Sequence, residues 1–198
     1  MTARIVVLAS GNGSNLQALL DASQSCDLDA TIVAVISNNA NAFALTRATA
    51  SGAPAVVVAV GPDEKRSIYD SRLADACAVF APDYVVLAGW MRLLSMAFLS
   101  RFSQRVINMH PALPGEFPGT RAIERALEAH QRLGLGRTGV MVHFVPDEGV
   151  DNGPVIASVE VPIELDDTLE LLEQRVHAAE HALLVQAMQQ LVHQLLNP

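Results

Sequence analysis

Short apolar runs rich in Val and Ile alternate along the chain with longer stretches whose apolar residues recur at helical spacing. Residues 4–9, 31–37, 55–59, 84–88 and 106–110 read as strands, and the stretches beginning near Ser14, Asn41, Asp63, Ser95 and Pro118 read as helices. This alternation builds βαβ units on a mostly parallel sheet, and the unbroken apolar character of the runs predicts helices on both faces. Pro54 and Pro82 mark passages from helix to strand, because the residue before a proline is pushed out of helical backbone.

Beyond residue 136 the period changes. Val140, Val142 and Phe144 alternate with Met141, His143 and Val145, and Val159, Val161 and Ile163 alternate with Ser158, Glu160 and Pro162. That predicts two half-covered strands. The link between them is rich in Gly and Asp and holds no helix, so the pair is expected to extend the sheet in antiparallel fashion. A long final helix follows. Asp167 is the expected cap, with Glu170 three positions on, and Leu169, Leu172, Val176, Ala179, Leu183 and Ala187 form its inward stripe. The expected class is α/β, a doubly wound and mostly parallel sheet with an antiparallel extension near the C-terminal part, in one domain over residues 1–198.

Composition narrows the partners. Apolar residues make up 51% of the 198, enough to build a core and to exclude disorder as the dominant state. A net charge of -8 would repel a phosphate polymer, which argues against nucleic acid. No apolar stretch reaches the roughly 18 to 20 residues that span a bilayer, and the start lacks a signal-peptide layout. Cys26 and Cys77 form no ligand or disulfide spacing, and both fall in helical stretches away from the strand ends. The expected address is the cytoplasm, with no membrane and no metal involved.

The first strand ends in Ser10-Gly11-Asn12-Gly13-Ser14-Asn15. Two glycines allow a tight turn with exposed N–H groups, and the helix start adds partial positive charge, which makes a seat for a phosphate. A dinucleotide fingerprint would need a third glycine where Leu16 stands, and an acidic residue after the second strand, where Ser37-Asn38-Asn39 stands. A Walker loop would need Gly-Lys-Ser or Gly-Lys-Thr. Gly13, Ser14 and Asn15 therefore suit a single phosphate group. A tight turn without any ligand stays open as the plainer alternative.

Asn108 and His110 are two apart on the fifth strand, so both face one side at the carboxyl end of the sheet, where open α/β folds place ligands. A neutral donor beside a titratable one can bind the oxyanion of a tetrahedral acyl-transfer intermediate. Asp151, flanked by Gly149 and Gly153, is the candidate carboxylate to support the imidazole. A purely structural histidine is the alternative. No Gly-x-Ser-x-Gly elbow or placed cysteine accompanies the trio, so direct attack by an amine fits better than a covalent enzyme intermediate.

Ordered blocks from Val6 to about Val185 carry a resemblance. They are the 10–15 loop, Ala88-Gly89-Trp90-Met91-Arg92-Leu93-Leu94, Asn108-Met109-His110-Pro111, Val142-His143-Phe144-Val145 and Asp151-Asn152-Gly153-Pro154-Val155-Ile156. On these the chain resembles the phosphoribosylglycinamide formyltransferases, which move a formyl group from 10-formyltetrahydrofolate to the amine of glycinamide ribonucleotide on a Rossmann-like formyltransferase fold. The resemblance implies Asn108, His110 and Asp151 as the catalytic set. It implies Gly13, Ser14, Asn15 and His177 for the substrate phosphate and Glu180 for the ribose. Arg66 and Arg92 match positions that meet anionic or polar parts of the ligands. Met91, Arg92, Leu94, Val145 and the 147–151 loop, with Asp147, Glu148 and Val150, match the folate pocket, Met91 bordering the substrate as well. A homodimer is compatible with it.

Two departures stand out. After His-Pro the family commonly reads Ser-Leu-Leu-Pro, whereas this chain has Ala112-Leu113-Pro114-Gly115; and His177 stands where Gln or Lys is usual. His177 and His181 are four apart, a zinc-compatible spacing, but no third ligand is placed by the pattern. His143 is expected to be a hydrogen-bonded support for the catalytic set, and His130 and His193 to be surface residues. Formyl-folate hydrolases and other formyltransferases generally carry a further domain, for which 198 residues leave no room. A phosphate-binding module with an inert trio is the non-enzymatic rival.

Overall fold

The computed structural model describes residues 2–197, which contain the strands β1 (Ala3–Leu8), β2 (Ala30–Ser37), β3 (Ala55–Val57), β4 (Tyr84–Leu87), β5 (Val106–His110), β6 (Arg137–Phe144) and β7 (Val155–Pro162). Their order across the sheet is β3-β2-β1-β4-β5-β6-β7; the first five run parallel and β6 and β7 antiparallel. The helices are α1 (Ser14–Gln24), α2 (Phe43–Ala50), α3 (Arg66–Ala78), α4 (Met96–Leu99), α5 (Ala122–Leu133) and α6 (Leu169–Leu196). The chain winds outward from β1 in one direction to β3, then returns to β4 and winds the other way. The reversal lies between β1 and β4, where Leu8 pairs with Leu87, so the loops leaving those strands flank the crevice at which such sheets take ligands.

Continuous apolar strands are explained by two cores. Ile5 and Val7 pack on one face with Leu16, Leu19, Leu172, Val176, Leu184 and Met188, while Val6 and Leu8 pack on the other with Tyr69, Leu73, Phe98 and Phe102. A strand alternates its side chains between faces, so only a run with no polar break can serve both.

Several expectations need correction. β6 is not half-covered: residues 138–143 are buried on both faces, because the loop after β5 lays Leu113 over Gly139. A Cβ at Gly139 would come within 2.4 Å of Leu113. β7, at the sheet edge, is largely exposed. β3 stops at Val57 instead of residue 59. The cap of α6 is Thr168, whose hydroxyl accepts from the Leu171 amide at 3.3 Å. Asp167 instead accepts from Arg175 at 2.8 and 2.9 Å and from the Glu164 amide at 2.8 Å, contacts that hold its carboxyl below the usual range. Helices expected near Asn41, Asp63 and Pro118 start at Phe43, Arg66 and Ala122, and that near Ser95 is a single turn continued by a 3-10 turn at Ser100–Phe102. Cys26 lies in a turn after α1 at φ 65°, not in a helix. Among the described residues no helix is long and apolar enough to cross a membrane.

Candidate active site

β5 delivers Asn108 and His110 to the carboxyl end of the sheet, with Asn108 beside Leu87 of β4 and opposite His143 of β6. The Asn108 Nδ2 donates to Asp151 Oδ1 at 3.1 Å and to Nε2 of His143 at 3.2 Å. An accepting Nε2 leaves the His143 proton on Nδ1, which donates to the Phe144 carbonyl at 2.8 Å. His143 thus orients the Asn108 carboxamide and is hydrogen-bonded at both ring nitrogens.

Asp151 reaches the strand end through a backbone held at φ 51°. Gly153 makes the approach possible: a Cβ there would lie 1.8 Å from the Phe144 carbonyl oxygen. The carboxylate accepts from the Gly119 amide at 2.8 Å, and its Oδ2 lies 3.3 Å from His110 Nδ1. Burial pushes the Asp151 carboxyl up, but His143, the Gly119 amide and His110 outweigh it and bring it below its ordinary value. His143 Nε2 itself stands 3.6 Å from Oδ1, beyond hydrogen-bond reach.

His110 is 4% exposed. Burial moves its pKa down, opposed by the Asp151 carboxylate and by the Phe117 carbonyl 3.0 Å from Nε2. Both ring nitrogens face acceptors, so an imidazolium satisfies both, whereas a neutral ring satisfies one. Burial outweighs both acceptors, so the ring's pKa lies below its ordinary value.

The trio lines a cavity of about 430 Å³. Its walls include Met91, Arg92 and Leu94 from the loop after β4, Val145 just beyond β6, and Asp147, Glu148 and Val150 from the 147–151 loop. The Arg92 Nε is buried without a hydrogen-bond partner, and its guanidinium lies 5.0 Å from the Tyr69 ring centroid. Arg66 stands apart from the cavity, paired with Glu148, whose other oxygen accepts from the Met96 amide at 3.0 Å.

Gly13, Ser14, Asn15, His177 and Glu180 lie outside the cavity walls. They form a second cluster, in which Asn15 Nδ2 donates to Glu180 Oε2 at 3.2 Å and ties the start of α1 to α6. Glu180 is buried, which raises its carboxyl pKa; the Asn15 bond and His177 only partly offset this. Gly13 is at φ 77°, and a Cβ on it would meet Ala44 Cβ at 2.8 Å, so α2 packs directly against the loop. Ser10 bridges cluster and cavity: its amide donates to the Gly89 carbonyl at 3.1 Å and its hydroxyl accepts from the Met91 amide at 3.0 Å.

Some participants were not foreseen. Arg47 donates to the Asn12 carbonyl at 2.9 Å and to Asn12 Oδ1 at 3.0 Å, across 35 residues of sequence. His130, expected to be plain surface, is half-buried with Nδ1 2.7 Å from the Leu135 carbonyl beyond the end of α5. His181 Nε2 is buried without a partner, and among the described residues no three metal-ligating side chains gather around it or elsewhere.

Comparison with known proteins agrees with this architecture. The formyl transferase family profile matches residues 3–188. The phosphoribosylglycinamide formyltransferase of Schizosaccharomyces pombe is 44% identical over 204 residues, covering 97% of this chain and 98% of that protein. Its counterpart in Escherichia coli is 43% identical over 90% of this chain and 82% of that protein. Among solved structures, glycinamide ribonucleotide transformylase 1 from Symbiobacterium toebii superposes with a TM-score of 0.92 at 37% identity, covering 98% of this chain and 89% of that one. With its sheet order, its strand-end trio and a match spanning almost all of its length, the chain belongs to the formyl transferase family.

Proposed function

We propose that this protein transfers the formyl group of 10-formyltetrahydrofolate to the amine of glycinamide ribonucleotide. The observation that carries the reading is the convergence of Asn108, His110 and Asp151 on one cavity, with the start of α1 tied to α6 through Asn15 and Glu180. Relatives at 43–44% identity that bear the phosphoribosylglycinamide formyltransferase name support the choice of substrates.

The folate-shaped co-substrate suits the cavity on two counts. A volume of about 430 Å³ lies in the range that buries a small organic ligand, and the half-buried Arg92 side chain in its wall brings a positive charge to a polar part of it. Gly13, Ser14, Asn15 and His177 hold the ribonucleotide phosphate in this reading, and Glu180 accepts from its ribose hydroxyls. The chemistry is one bond made and one broken: the amine nitrogen bonds to the formyl carbon, the carbon's bond to the folate nitrogen breaks, and the amine proton passes to that nitrogen.

The protein's part is to hold and polarise. Both Asn108 amide hydrogens are committed to Asp151 and His143, so an oxyanion engages this donor by replacing one of those acceptors. The His110 ring supplies the second donor by exchanging the Phe117 carbonyl at Nε2 for the oxyanion, and Asp151 at Nδ1 stabilises its charged form and assists the proton's departure. Held proximity of the two substrates can supply roughly 7 kcal/mol or more of the barrier reduction.

Mixing the protein with 10-formyltetrahydrofolate, with and without the ribonucleotide, tests the reading. Formylation of the ribonucleotide is expected. Hydrolysis in its absence at an equal rate would make the protein a formyl-folate hydrolase, and no reaction would leave a phosphate-binding module.

A further inference from the structure

The loop between β5 and α5 is left-handed at four positions within seven residues: Gly115 (φ 80°), Phe117 (44°), Gly119 (81°) and Arg121 (57°). Glycine adopts this backbone freely, but Phe117 and Arg121 adopt it against the crowding of their own Cβ. Contacts from outside must therefore impose the loop's shape. Two come from the trio itself, through Asp151 to the Gly119 amide and through His110 Nε2 to the Phe117 carbonyl. The third comes from Arg125 on α5. Its Nη2 donates to the Phe117 carbonyl and, at 2.7 Å, to the Pro118 carbonyl, and its guanidinium lies 5.9 Å from the Phe117 ring centroid.

We propose that Arg125 is a positioning residue for the transfer reaction: by clamping the Phe117 and Pro118 carbonyls it fixes the loop against which His110 and Asp151 are set. The proposal rests on the function argued above. Arg125 does not line the cavity, so it acts only through the loop and through the ring that shares its acceptor.

That sharing has a chemical consequence. A carbonyl already bonded to a guanidinium is a poorer partner for a second charged donor, and the guanidinium repels a charge on the ring. The titratable and charged groups facing His110 are Asp151 from the loop after β6, His143 from β6 and Arg125 from α5; of these Asp151 alone favours the imidazolium. Removing the charge at position 125 therefore loosens the loop and raises the proton affinity of the ring together.

The test uses Arg125→Gln and Arg125→Lys in the full chain, with steady-state kinetics and NMR titration of the His110 ring. In the Gln variant we expect kcat about tenfold lower, both KM values within about twofold, and a His110 midpoint higher by about half a pH unit. In the Lys variant, which keeps the charge but has a shorter reach and no planar guanidinium to lie over the Phe117 ring, we expect the wild-type midpoint and an intermediate kcat. An unmoved midpoint in the Gln variant overturns the proposal, as does wild-type kcat in the Lys variant, which alone decides if the Gln variant does not fold. The titration needs no substrate, so a wild-type protein that failed to formylate the ribonucleotide would refute the function and leave the clamp separately tested.

Discussion

Asn108 and His143 face each other across the antiparallel β5–β6 pair, with 3.2 Å between the amide nitrogen and the ring Nε2. The contact sets the carboxamide's orientation, since the ring accepts and the amide must donate. His143→Phe removes that acceptor at similar volume. Its kcat should fall about tenfold with both KM values within about twofold, measured in steady state; unchanged kcat would show that Asn108 orients without it.

Loss of the donors themselves should cost more. Asn108→Ala is expected to lower kcat by about two orders of magnitude or more, in line with the ~3 to 4 kcal/mol typical of an oxyanion donor, and Asp151→Asn by a similar factor. Circular dichroism should show the fold intact in both. Near-normal turnover in either variant would remove that residue from the chemistry.

The glycine loop gives a prediction that couples stability to binding. Gly13→Ala places a methyl 2.8 Å from Ala44 Cβ on a backbone at φ 77°, which should destabilise by ~1 to 3 kcal/mol and lower Tm by roughly 2 to 12 °C for a chain of this size. The ribonucleotide KM should rise more than the folate KM. Ser14→Ala should show the same KM asymmetry without the stability loss; equal effects on both KM values would contradict the phosphate assignment.

Glu180 predicts a pH dependence. Burial raises its carboxyl pKa in the folded state, so its contribution to stability is fully present below the unfolded-state value near 4.3 and is lost as pH rises through the folded value. The stability of the wild type relative to Glu180→Gln should therefore decline from about pH 4 toward neutrality in denaturant titrations, while the variant binds the ribonucleotide more weakly at every pH. Parallel stability curves for the two proteins would show that the carboxyl keeps its ordinary pKa on folding.

What the chain disclosed in advance followed the range of the interactions. The parallel strands were legible because Val6 and Val7 serve opposite cores from adjacent positions, which leaves an uninterrupted apolar run. Asn108 and His110 were legible because two residues on one strand share a face. Thr168 was missed as a cap because Asp167 beside it satisfies the same local pattern, and its pairing with Arg175 is decided by the helix that follows. Arg47 and Arg125 left no local signal at all. Their roles depend on where Asn12 and Phe117 present carbonyl oxygens, a product of tertiary folding and of left-handed turns at non-glycine positions.

A crystal structure with glycinamide ribonucleotide and an unreactive folate analogue would probe the site as a whole. The phosphate should rest on the amides of Ser14 and Asn15, the amine should sit within about 3.5 Å of the analogue's carbonyl-equivalent carbon, and the oxygen on that carbon should accept from Asn108. A phosphate bound elsewhere, or an amine separated from the Asn108–His110–Asp151 trio by packed side chains, would contradict the reading that one substrate bridges the glycine loop and the cavity.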